Sequence, residues 1–162
     1  MGNFFANIYY LFVGLFGQHL SDYLWGYDCQ TSGFGPNVVY LPIGLTMTAI
    51  TIVSCVIFYF VINHPRFNKW WHWTIYLLFV ALINWVIAGI WVKYHLDNGL
   101  IPDCLRFTEG IENISAYHCW MFGLANGIIS AVLFFLTSIV IKRWSRNCRH
   151  TPFESKLPKR NK

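Results

Sequence analysis

The strongest constraint in this sequence is where charge is absent. No Asp, Glu, Lys or Arg occurs in Leu41–Asn63, Trp70–Val92 or Tyr117–Ile141, runs of 23, 23 and 25 residues. A helix needs about 20 predominantly apolar residues to cross a hydrocarbon core, and a helix satisfies its own backbone polar groups where no water is present. Composition agrees, with 56% hydrophobic and 12% charged residues against about 45–50% and 25% in soluble domains. This excludes a soluble enzyme, a disordered regulator and a nucleic-acid-binding domain. The 162 residues leave room for one membrane domain and little else.

The segment Phe4–Trp25, FFANIYYLFVGLFGQHLSDYLW, reads as a fourth span, with an interfacial helix as the alternative. It does not read as a removed signal peptide, because no Lys or Arg precedes the apolar run and no small-residue cleavage site follows. Loop charges set the orientation. Ser21–Tyr40 carries Asp22 and Asp28 and no base, whereas the short turn His64–Lys69 carries Arg66 and Lys69 and no acid. Lys93–Ala116 is acidic on balance, and the tail from Lys142 holds eight basic residues against Glu154. Short loops rich in Lys and Arg stay in the cytoplasm. The expectation is therefore an all-α, four-transmembrane-helix bundle over residues 1–141, with both termini inside. Its spans lie at about 4–25, 38–63, 70–95 and 117–141, followed by a basic cytoplasmic tail at 142–162. The expected location is a cytoplasmic (inner) membrane. Trp70, Trp71, Trp73 and Trp144 at the inner edge, and Tyr23, Trp25, Tyr40, Trp91 and Tyr94 at the outer one, suit a headgroup-level aromatic belt.

This topology puts Cys29, Cys104 and Cys119 outside, Cys55 within a span and Cys148 in the cytoplasm. Disulfides persist on an oxidising side, so a bridge is expected among Cys29, Cys104 and Cys119, with its connectivity open. Four spans with outer-loop cysteines resemble the quinone-coupled membrane oxidases that make disulfides. That resemblance covers the span count and the second-loop pair, and implies a thiol–disulfide oxidoreductase. Those enzymes use a Cys-x-x-Cys pair because exchange needs a resolving thiol. Here Cys29 stands alone in D-C-Q-T-S, a departure from the pattern.

No H-x-x-x-H or E-x-x-H spacing is present, and neither a metal nor a cofactor is expected. Ion pathways leave charges inside spans, and only Asp22 qualifies. With His19 three residues earlier, and Gln18 beside them, it forms a candidate pore or vestibule group on one helix face.

Small and polar residues recur at helical spacing: Thr48 and Thr51 in the second span, Asn84 in the third, and Gly123, Asn126, Gly127 and Ser130 in the fourth. Gly123 and Gly127 form a small-xxx-small face, which lets helix backbones approach closely. These residues are expected to pack against neighbouring helices, and self-association through the fourth span is expected with them. The tail, with Lys142, Arg143, Arg146 and Arg149, is expected to meet anionic inner-leaflet lipid or an acidic partner, and no nucleic acid. The leading functional expectation is a non-enzymatic membrane protein that self-associates or assembles with other membrane subunits, forming a pore or channel. An accessory structural subunit of a larger membrane complex is the first alternative, and the oxidoreductase is the second.

Overall fold

The computed structural model describes residues 2–36, 38–62, 70–108 and 111–143. Three helices are long and apolar enough to cross a membrane: Tyr40–Ile62, Trp70–Asp97 and Ala116–Ile141, of 23, 28 and 26 residues. At about 1.5 Å per residue these are roughly 35–42 Å long, more than the hydrocarbon thickness. The first comprises α4 (Tyr40–Val56) and a π-helical continuation, Ile57–Ile62; the others are α5 (Trp70–Asp97) and α7 (Ala116–Ile141).

The bundle therefore has a cap end, where α4 and α7 begin and α5 finishes, and an opposite turn end. Residues 63–69, between the first two long helices, and those from Trp144 onward lie outside the described residues, and Arg146 and Arg149 with them.

The expected span at 4–25 is not one helix. It is α1 (Gly2–Tyr10), α2 (Val13–Phe16) and α3 (Gln18–Trp25). The break before α3 has a local cause. Gly17 has φ +86°, a backbone conformation that residues bearing a Cβ rarely adopt. A Cβ there would also meet the His118 ring at 3.4 Å. Gly26, in the left-handed region, then ends α3 by donating its N–H to the Asp22 and Tyr23 carbonyls.

The ring and hydrogen-bond partners of α1–α3 among the described residues lie toward the cap end. The Phe5 ring fills the space above Gly44, four residues into α4. Tyr9 stacks on Tyr40 with ring centroids 5.1 Å apart. Phe16 meets Phe122, and the Tyr23 hydroxyl is hydrogen-bonded to His95 Nδ1 at 2.8 Å.

Two antiparallel two-residue ladders complete the cap. β1 (Tyr27–Asp28) pairs with β2 (Gly33–Phe34), and β3 (Phe107–Thr108) pairs with β4 (Ile111–Glu112). Between α5 and β3 runs the single turn α6 (Asp103–Arg106). At the end of α5, Leu100 N–H bonds the His95 carbonyl and Gly99 N–H the Leu96 carbonyl, with Gly99 at φ +66°. That is a Schellman motif, and it turns the chain into the cap. Ser115 and His118 form a reciprocal capping box that starts α7.

Burial divides the molecule in two. The cap-half core joins Ala6, Tyr9, Phe16, Leu20 and Leu24 to Tyr40, Ile43, Ala88, Val92, Cys119 and Phe122. Among the described residues the turn-half core is built from α4 with its π-helical continuation, α5 and α7: Cys55, Phe58, Tyr59, Trp73, Val80 and Phe134.

Candidate functional site

Helices α5 and α7 form the most extensive pairing in the fold. At Gly123 a Cβ would lie 2.5 Å from the Trp85 carbonyl oxygen, and at Gly127 it would lie 2.9 Å from that of Ala81. Both obstacles are backbone, which cannot rotate aside. The small-residue face of α7 is thus filled by α5 of the same chain. The close approach that this face permits is used within the monomer.

Asn126 lies beside that face and reaches two ways. Its Nδ2 donates to the Asn84 carbonyl on α5 at 2.9 Å, and its Oδ1 accepts from the Tyr9 hydroxyl of α1. Tyr40, stacked on Tyr9, donates to Ser21 Oγ at 2.9 Å. Asn126, Asn84, Tyr9, Tyr40 and Ser21 are all essentially inaccessible to solvent. In such surroundings an unmet polar group is costly, and each of these has a partner.

The remaining expected polar contacts turn back on their own helices. The Thr48 hydroxyl donates to Gly44 O, Thr51 to Met47 O, Ser130 to Gly127 O, and Asn84 Nδ2 to Val80 O. Ser and Thr commonly bond the preceding turn this way. They satisfy themselves and glue nothing across.

A second polar centre lies in the turn half. The Trp73 indole donates to Ser138 Oγ at 3.3 Å, with Cys55 Sγ 3.7 Å from the same hydroxyl. Sequence reasoning passed over Tyr9 and Ser138, and read Tyr40 only as an outer-edge aromatic. The available signal was the phenol itself, since a Tyr within an apolar segment needs a partner for its hydroxyl.

The candidate site is a cavity of about 370 Å³ in the cap, lined by His19, Asp22, Tyr27, Cys29, Cys104 and Leu105. His19 and Asp22 come from successive turns of α3, and Gln18 Nε2 holds Asp22 Oδ1 at 2.7 Å. The cavity thus brings together the vestibule group and two of the three cysteines singled out from sequence. Cys29 and Cys104 sit at disulfide distance, with Cα atoms 6.4 Å apart. Cys104 is exposed, whereas Cys29 is half-buried against the cap-half core. Cys119, expected outside with them, is instead fully buried in the first turns of α7 as a free thiol. Helical phase explains the difference, because Cys119 shares the inward face with Phe122 and Asn126.

Two other recesses are lined by apolar and aromatic side chains: one along α5 by Ile87, Ile90, Trp91, Tyr94 and His95, and one near the turn end by Phe58, Ile62, His72, Ile75, Tyr76 and Phe79. No group of three or more His, Cys, Asp or Glu side chains placed to hold a metal occurs among the described residues. Lys142 and Arg143 follow the end of α7, next to the tail. No protein-family model, curated protein or solved structure matches this chain.

Proposed function

We propose that this chain is a non-enzymatic membrane subunit with a structural role, assembling with other membrane chains. The observation that carries the reading is the occupation of the Gly123–Gly127 face by α5. A helix that spends its closest-packing face inside the monomer has none left to offer a ring of identical copies. The accessory-subunit reading therefore gains on the self-assembled pore. The buried polar side chains of the bundle are likewise engaged within the chain, Asn126 with Asn84 and Tyr9, and Ser138 with Trp73. Partner chains and lipid are left with apolar faces, such as Ile75, Leu78 and Leu82 on α5 and Val132, Leu136 and Val140 on α7.

In this reading α1–α3 are half-inserted from the cap side, so that the chain crosses the membrane three times, not four. Support comes from the Gly17 break and from packing partners confined to the cap half. The basic residues Arg66 and Lys69 and those of the tail support a cytoplasmic turn end, with the cap outside a cytoplasmic membrane. Lys142 and Arg143 then lie at anionic headgroups, each contributing about 1 kcal/mol.

Native mass measurement of the chain purified in mild detergent tests the proposal. The expected result is a stoichiometric complex with other chains. A ring of identical copies that falls apart in Gly127→Leu, while each monomer stays folded, would contradict it.

A further inference from the structure

The cap cavity holds a bond that chemistry can reach. Both members of the Cys29–Cys104 pair line its wall, together with an imidazole, a carboxyl and a phenol. The two residues differ in exposure: Cys104 is exposed on α6, and Cys29 is half-buried beside the cap-half core. A bridge placed only to staple two loops needs no cavity beside it and no proton-carrying side chain within that cavity.

We infer that this cavity is a thiol–disulfide exchange site, at which an external dithiol reversibly reduces the Cys29–Cys104 bridge with His19 supplying the proton to the departing sulfur. One thiolate of the dithiol attacks Sγ of the more exposed residue, Cys104, and the S–S bond electrons leave with Cys29 Sγ. Protonated His19 neutralises that thiolate. The second thiolate of the dithiol then attacks the dithiol's first sulfur, breaking its bond to Cys104 Sγ and releasing Cys104 as a thiolate, which takes a proton from water. Two electrons and two protons pass from the dithiol to the cysteines, and the dithiol becomes a disulfide. The resolving thiol comes from the partner, so this chain needs no Cys-x-x-Cys pair of its own.

The structural consequence follows from what the bridge joins. Cys29 follows α3 and Cys104 lies in α6, 75 residues apart in the chain. Reduction releases the N-terminal segment from the loop that follows α5, making the cap a redox-responsive latch. This inference does not depend on the subunit reading, because exchange would occur in a lone chain or in a complex.

The test uses the full chain in lipid nanodiscs, with dithiothreitol as the dithiol and alkylation mass shift as the readout. Asp22 and Tyr27 are the other titratable groups lining the cavity with His19. The wild-type rate should therefore be compared with Asp22→Asn as well as His19→Gln, across pH. The bridge should be reduced within minutes at millimolar dithiothreitol. His19→Gln should slow it about three- to tenfold and make the rate follow the reductant's thiolate fraction alone. Wild-type and His19→Gln proteins with the same rate and the same pH profile would overturn the proposal. So would a bridge that stays oxidised under conditions that reduce glutathione disulfide completely.

Discussion

The cap half and the turn half of this bundle solve the same problem with different materials. In the cap half α1–α3 add a fourth layer over α4, α5 and α7, and aromatic rings, a buried Tyr9–Asn126–Asn84 relay and a cysteine pair hold that layer in place. In the turn half the three long helices meet alone, around aromatic side chains and one shared hydroxyl, Ser138. The difference shows that the long helices are sufficient to build a core where α5 and α7 touch. The N-terminal segment adds order at one end only. It also shows where polar groups are tolerated: the Asn126, Tyr9 and Tyr40 side chains bond across helices, whereas the Asn84 side chain and the threonines of α4 bond their own turns.

Four substitutions break or sharpen this contrast, in decreasing order of effect. Gly127→Leu strikes the α5–α7 seam common to both halves, forcing a side chain against the Ala81 carbonyl. Overpacking costs about 1–3 kcal/mol, and a backbone obstacle puts this case near 3. Both halves should loosen together in detergent-titration unfolding, while Leu136→Ala, at a lipid-facing position, should change little. Cys29→Ser acts on the cap alone. Loss of the bridge should cost about 2 kcal/mol within the usual range for disulfides, and faster hydrogen exchange should appear in α3 and α6 but not in the turn half. Asn126→Leu removes the Tyr9 and Asn84 bonds together. Interhelical bonds in membranes average about 0.6 kcal/mol, so a loss of about 1 kcal/mol is expected, with increased exchange in α1. Ser138→Ala is the mildest, about 0.5 kcal/mol or less. It should register as a shift in Trp73 fluorescence and leave the cap untouched.

Much of the bundle was legible in the sequence. Uncharged runs gave α4, α5 and α7 nearly to their ends, because membrane spans must be apolar along their whole length and soluble helices need not be. The Phe4–Trp25 segment misled because apolar length says nothing about continuity. Gly17 could have warned of a break, yet glycine is also tolerated inside spans. Gly123 and Gly127 announced close packing correctly, but spacing within one helix cannot say whether the neighbour belongs to the same chain. Cys29 and Cys104 were among the expected cysteines. Their pairing depended on how the cap folds, and on the helical phase that turns Cys119 inward, which loop position does not reveal. Tyr9 was the least legible site residue, since its partner Asn126 lies 117 positions away.

The central claim is that α1–α3 occupy the cap half only, with the N-terminal residues stopping within the bundle. The direct measurement is a pair of spin-label distances in nanodiscs, from Phe4, an exposed position on α1, to Leu100 at the cap and to Trp71 at the turn end. The account predicts that the Phe4 label lies closer to position 100 than to position 71 and has high oxygen accessibility, as expected for the hydrocarbon region. A Phe4 label beside position 71 at headgroup depth would mean that the segment spans the bilayer, and would contradict the account.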